Sequence, residues 1–227
     1  MNKYSSTLRA AFPITLPVLF GYIAIGIPFG LMLVNAGYPW WLAPIMSSLI
    51  FAGAGQYIAV GLFAANVPLP GMLLTILLVN IRHIVYGLSL IEKFKVTGRW
   101  KPYLIFSLTD ETYALLTGVS VPEGINRGSF FGTIALLDQS YWIIGSILGA
   151  LAGELIPFSF AGIDFALTAL FMVLLIDQIR KSKDIIPVAI GLIAAIFSLI
   201  FVGPSRMLIA ALCGALGLLI LFKGKNK

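Results

Sequence analysis

Cysteine, histidine and charge are all scarce in this sequence. Its one cysteine, Cys213, sits in an apolar stretch, so no disulfide framework is available and the redox state of the compartment is left unconstrained. Its one histidine, His83, has no second imidazole with which to build a metal site, and there is no HExxH, no GxSxG elbow and no glycine-rich phosphate loop after a strand. Enzyme chemistry and bound cofactors therefore lack their usual carriers. Ser89 is the one serine near His83, and nothing around it marks an activated nucleophile. Charged residues make up 11% of the chain, against about 25% in a typical soluble domain. From Ala10 through Ile81 there are none, a run of 72 residues. Drawn as one helix, that run would reach about 108 Å, several times a hydrocarbon core of about 30 Å.

What is there in abundance is apolar: 59% of the 227 residues are hydrophobic. The fold class expected is an all-α integral membrane protein of one membrane domain, with no room for a soluble domain. The net charge of +6 would suggest nucleic acid in a soluble protein. Here Lys3, Arg9, Lys93, Lys95, Arg99, Lys101, Arg180, Lys181, Lys183, Lys223, Lys225 and Lys227 lie at the ends of apolar segments, where positive charge orients helices relative to the cytoplasm, and no nucleic-acid partner is expected. The first apolar segment is too long and too proline-rich for a signal-peptide core and is expected to remain in the mature protein.

Seven or eight hydrophobic segments are expected. Segment one, about 11–34, holds Pro13, Pro17 and Pro28 with Gly21, Gly26 and Gly30, and Gly26–Gly30 reads as a break; a tolerated proline kink with tight glycine packing is the alternative. Tyr38–Trp41 reads as an interfacial turn with aromatic anchors. Segment two, about 42–65, carries FAGAGQY, whose Gly53 and Gly55 allow close approach of a helix or a ligand beside the amide of Gln56. Segment three is about 71–91, and segment four, about 102–121, carries Asp110 and Glu111 near its middle, a second expected break. Segment five, about 129–153, carries Asp138 and Gln139. Segment six spans about 165–176 with its flanks, and 185–202 with 207–222 form an apolar hairpin turning at Gly203–Arg206. Residues 10–91 and 102–178 could be two copies of a three-segment unit, the second inverted, on the hint that AGQY around Gln56 and DQSY around Gln139 sit at comparable places. Charge does not settle the topology: eight simple crossings cannot put 93–101, 180–183 and the C-terminal lysines on one side, so segment one or four is expected not to cross as a plain helix.

The densest chemistry lies in NIRHIVYGLSL, Asn80–Leu90. On a helical wheel Asn80, Arg82, His83, Tyr86, Gly87 and Ser89 fill one half, and Ile81, Ile84, Val85, Leu88 and Ile91 the other. One face suits lipid; the other lines a cavity or a polar seam. Arg82 can grip a carboxylate with two parallel bonds, and His83 can change charge near neutral pH. Asp110, Glu111 and Asp138 are the other candidates for carrying a proton. Plainer readings stay open: Arg82 and His83 could be a membrane-edge pair, Asp110 and Glu111 a buried salt bridge to Arg82, and the glycines a packing seam in which Gln56 bonds across to a neighbour.

FAGAGQY, RHIVYGLSL from Arg82 to Leu90, LTDETYAL from Leu108 to Leu115 and ALFMVLL from Ala169 to Leu175, taken together, resemble the AzlC/YgaZ family of branched-chain amino acid exporters. The resemblance spans segments one to six. It implies the large subunit of a multi-pass bacterial inner-membrane exporter of leucine, isoleucine and valine, and in some relatives methionine, driven by the proton gradient and working with a smaller membrane subunit, AzlD. It assigns no residue to the substrate, so the site rests on the residues themselves. A zwitterion with a branched tail needs a cation, an anion and a small apolar pocket. Arg82, Asp110 or Glu111, and the Gly53–Gly55 surface can supply these, with Gln56 and Tyr86 alongside and His83, Asp110, Glu111 and Asp138 coupling protons. The competing expectation is a channel or a structural membrane subunit without its own substrate.

Overall fold

The computed structural model describes residues 3–155, 185–203 and 207–225, with a few positions between 172 and 180. Among them there is no strand. The helices are α1 (Lys3–Asn35), α2 (Leu42–Leu49), α3 (Gly53–Ala64), α4 (Leu69–Asn80), α5 (Arg82–Ser89), α6 (Ile91–Phe94), a 3-10 turn (Gly98–Trp100), α7 (Lys101–Phe106), α8 (Asp110–Gly118), α9 (Arg127–Leu155), α10 (Ile186–Phe201) and α11 (Met207–Lys225). Ser6–Asn35 of α1 and all of α9 are long and apolar enough to cross a membrane, and α4 with α5, broken at Ile81, would make a third span. Most of segment six, Lys181 and Lys183 of the basic run after it, and Pro204–Arg206 of the expected turn lie outside the described residues.

The chain forms two compact units, residues 1–65 with 79–164 and residues 66–78 with 165–227. The first is organised on α1 and α9, which run in the same direction with their backbones touching. A Cβ on Gly26 would lie 3.0 Å from Gly145, one on Gly145 would lie 2.9 Å from the Tyr22 carbonyl oxygen, and Gly153 faces Leu31 and Val34. Gly30 meets the backbone of Ser146, Gly149 and Ala150 in the same way. Small residues at this spacing are what lets two apolar helices bury backbone against backbone when lipid offers no hydrophobic drive.

This seam also corrects the break expected at Gly26–Gly30. α1 runs unbroken through Pro13, Pro17 and Pro28. The glycines serve the contact with α9 and not a discontinuity. Beside the turn that Pro28 disturbs, the Tyr57 hydroxyl donates to the Ile25 carbonyl at 2.5 Å and ties α3 to α1.

Two other segments do break, and each folds back on itself. Between α2 and α3, Phe51 takes a φ of 41°, a left-handed conformation costly for a bulky side chain. Tyr38 before α2 then meets Phe63 near the end of α3, ring centres 5.6 Å apart, and Gln56 of α3 bonds Ser47 of α2 at 3.2 Å. α2 and α3 therefore form a hairpin hanging from the C-terminal end of α1. Between α7 and α8, residues 107–109 leave the helix. Trp100 and Tyr103 lie along Gly132 and Gln139, so α7 runs with α9, while α8 runs against α1, with Thr109 at Tyr22 and Leu116 packed in a cluster with Ala11. This hairpin rises from the N-terminal end of α1. The second unit holds α10 and α11, packed on one another and joined through Gly203 at φ 86°, along the span expected for the apolar hairpin.

Candidate functional site

The two hairpin tips meet at one residue, Tyr22, halfway along α1. Its ring lies edge-on to Phe51 at 6.3 Å and to Trp142 at 5.6 Å. Its hydroxyl bonds Thr109 Oγ1 at 2.5 Å and donates to Glu111 Oε2 at 2.8 Å. The tips differ in character. The N-cap of α3, Ala52, offers no side-chain cap, and its first turn carries only Gly53, Ala54 and Gly55. The first turn of α8 carries Asp110 and Glu111, and Thr109 Oγ1 accepts from the Thr112 amide as its cap.

α5 brings the basic partner. Arg82 Nη1 pairs with Asp110 Oδ2 at 2.8 Å, the Tyr86 hydroxyl donates to Asp110 Oδ1 at 2.8 Å, and both side chains of the ion pair stay about 40% exposed, at 41% and 39%. Tyr86 stacks on Tyr113 at 4.3 Å and meets the His83 ring edge-on at 5.8 Å. Ser89 donates to the Tyr113 hydroxyl at 3.1 Å, and Lys93 Nζ donates to the carbonyls of Leu116 and Thr117 at the far end of α8. Ile84, Val85 and Leu88 point outward, exposed, so α5 has the two faces its sequence implies. The ionisable groups of the third and fourth segments thus meet each other.

The remaining candidates divide. Glu111 lines a mostly apolar cavity of about 260 Å³ with Tyr22, Val18, Ile25 and Leu115. Asp138 is fully buried on α9 and accepts from Thr112 Oγ1 at 2.8 Å. Gln56 is fully buried and engaged at both ends: its Oε1 accepts from Trp142 Nε1 at 2.9 Å and the Ala52 amide at 3.3 Å, and its Nε2 donates to Ser47. The structure brings Gln56 to Trp142 and not to Arg82. Gly53 faces the Trp142 indole, 3.4 Å from where a Cβ would stand, and Gly55 faces the amide of Asn80, 2.6 Å away on the same measure. Asn80 Oδ1 and Arg82 Nε are buried with no hydrogen-bond partner among the described residues.

The AzlC protein family model matches residues 17–156, which contain every residue named above. The chain belongs to the AzlC family. A relative from Bacillus subtilis, the branched-chain amino acid transport protein AzlC, is 36% identical over 98% of this chain and 89% of its own length. An uncharacterized membrane protein of Helicobacter pylori is 38% identical over 98% of both chains, and the inner membrane protein YgaZ of Escherichia coli 29% identical over 95% and 91%. No solved structure matches.

In this AzlC-family chain the motif strings become structural parts. FAGAGQY is the tip and first turns of one hairpin, LTDETYAL the tip and first turns of the other, and RHIVYGLSL is α5. ALFMVLL lies for the most part outside the described residues. Sequence reasoning missed Tyr22, Thr112 and Trp142 as partners of the site. The available signal was that a buried tyrosine or tryptophan needs a partner for its polar tip, and Tyr22 is the one polar aromatic between Pro13 and Asn35.

Proposed function

We propose that this AzlC-family chain is the large subunit of a proton-driven secondary transporter that exports branched-chain amino acids across a bacterial inner membrane, as a multi-pass protein working with a small AzlD-like membrane subunit. The observation that carries this reading is the half-exposed Arg82–Asp110 pair at the junction of two broken segments. An ion pair that keeps about 40% of each side chain open to its surroundings can be reached by a ligand without unpacking the helices around it. A zwitterion is the ligand that parts it without orphaning either charge. Its carboxylate takes the Arg82 guanidinium and its ammonium takes Asp110, and the uncapped start of α3 adds backbone N–H groups of the kind that face carboxylates in transporters with broken helices. The branched tail takes the apolar cavity of Val18, Ile25 and Leu115, one residue along from Asp110 at Glu111. The Bacillus subtilis relative, a branched-chain amino acid transport protein, supports the substrate class.

The test is efflux from cells loaded with a leucine-containing dipeptide, comparing wild type with Arg82→Ala, His83→Ala and Asp110→Asn at matched membrane abundance. Arg82→Ala and Asp110→Asn are expected to slow efflux at least tenfold. Unchanged efflux in all three removes the site. Flux in liposomes that ignores the proton gradient and shows no exchange of labelled leucine favours the channel instead.

A further inference from the structure

Two carboxylates in the first unit are joined by hydroxyl groups alone. From Glu111, at the apolar cavity, the path runs through the Tyr22 hydroxyl at 2.8 Å, Thr109 Oγ1 at 2.5 Å, Thr112 Oγ1 at 3.2 Å and Asp138 Oδ2 at 2.8 Å. It crosses from α1 to α8 to α9, and every member except Glu111 is buried. The groups that face Asp138 are Glu111 and the phenols of Tyr22, Tyr103 and Tyr141, with no cationic side chain among them. Asp138 Oδ1 has no hydrogen-bond partner among the described residues.

Counting protons shows what such a path can hold. Three hydroxyls between two carboxylates make four links, and each hydroxyl brings one proton. With both carboxylates ionised, one link has no proton. With one proton added to either carboxyl group, every link has one, and all point the same way. The two directions differ only in whether Glu111 or Asp138 is the neutral end. Moving between them breaks one O–H bond and forms another at each hydroxyl oxygen, breaks one at the carboxyl that gives up its proton and forms one at the carboxylate that takes it, so one proton has moved from carboxyl to carboxylate with no other reactant.

We infer that Tyr22, Thr109 and Thr112 form a proton relay between Glu111 and Asp138, separate from the Arg82–Asp110 pair. It rests on the proton-coupled reading given above. It makes Tyr22 and Thr112 positioning residues for coupling and leaves the grip on the amino acid's charged groups to Arg82 and Asp110. The longest link, Thr109 to Thr112, is the place where the path is most easily cut.

The experiment uses the full chain with its small partner subunit in liposomes and reads two quantities for each variant: leucine accumulation driven by an imposed proton gradient, and counterflow of labelled leucine without a gradient. Thr112→Val keeps the shape and removes the hydroxyl; Thr112→Ser restores the hydroxyl. The relay predicts that Thr112→Val loses proton-driven accumulation at least tenfold with counterflow within twofold of wild type, and that Thr112→Ser recovers it. Tyr22→Phe cuts the other end; because Tyr22 also lines the cavity, it is read by the ratio of proton-driven accumulation to its own counterflow, which is expected to fall at least tenfold and decides the matter if Thr112→Val does not reach the membrane. Wild-type accumulation that is proton-driven and equally strong in Thr112→Val and Tyr22→Phe overturns the relay alone. A wild type that shows counterflow yet ignores the gradient overturns the coupling and the relay together.

Discussion

Replacing Gly149 with alanine tests the α1–α9 seam on which both hairpins depend. The added methyl would land on the carbonyl oxygen of Ile27, with that residue's carbonyl carbon 2.7 Å and its Cα 2.8 Å away. All of these are backbone atoms inside a helix, so no side chain can swing clear. Relieving the clash with the carbonyl carbon alone would require the two backbones to part by about 0.7 Å, and the carbonyl oxygen, which lies nearer still, demands more than that. Gly145, one turn earlier, is already against Tyr22 and Gly26, so the parting spreads along the seam and loosens packing that was near optimal. Overpacking of this kind costs typically 1–3 kcal/mol, and with backbone as the obstacle about 3 kcal/mol is expected. At about 2–4 °C per kcal/mol for chains of this size, the apparent melting temperature falls by roughly 6–12 °C. Purified protein in detergent, heated while intrinsic fluorescence and soluble monomer are followed, reads the shift. Gly61→Ala is the control, because nothing lies within 4 Å of a methyl there, and helix propensity alone would stabilise it by up to about 1 kcal/mol. If Gly149→Ala melts with the wild type, the two helices are not in backbone contact and the reasoning fails.

Other outcomes follow from single contacts. Arg82→Lys keeps the charge but loses the planar fork; efflux is expected to fall several-fold, between wild type and Arg82→Ala, while thermal stability moves by less than about 1 kcal/mol because the pair is half exposed. A large drop in melting temperature would show the pair to be structural. Lys93→Met removes both bonds to the last carbonyls of α8, and hydrogen exchange at residues 113–118 should quicken about three- to tenfold while α9 is unchanged, for a loss of about 1 kcal/mol. Gln56→Leu leaves the Trp142 indole N–H and the Ala52 amide without an acceptor in a buried place, at about 1–3 kcal/mol for each donor, and the melting temperature should fall accordingly. An unchanged melting point would mean the indole finds another acceptor.

The parts of this molecule that were legible in the sequence were those set by a local pattern. The two faces of α5 could be read because Ile84, Val85 and Leu88 alternate with Arg82, His83 and Tyr86 at helical spacing, and the meeting of Arg82 with Asp110 follows from the cost of leaving either alone in an apolar segment. Proline and glycine in α1 were ambiguous, because the same residues serve a break and a close helix contact, and only the presence of Gly145 and Gly149 across the seam decides between them. The fold-back of α2 on α3 was hidden altogether. Residues 42–65 have the length and composition of a crossing, and a left-handed phenylalanine at position 51 leaves no mark in composition. Gln56 could be read either as a ligand-facing amide or as one bonding across a packing seam; the structure shows the second, and the sequence could not name the partner because Trp142 lies 86 residues away in the chain.

The glycine seam has a consequence for how such a molecule can work. Two helices interlocked at Gly26, Gly30, Gly145 and Gly149 cannot slide by a fraction of a turn, since each intermediate position would drive a carbonyl into a neighbouring backbone. α1 and α9 therefore travel as one rigid beam through any cycle. In the transport cycle proposed above, the strokes that admit and release cargo would fall to the short helices whose tips lean on Tyr22, and each tip would swing without dragging the other only if that tyrosine let go of one while holding the second.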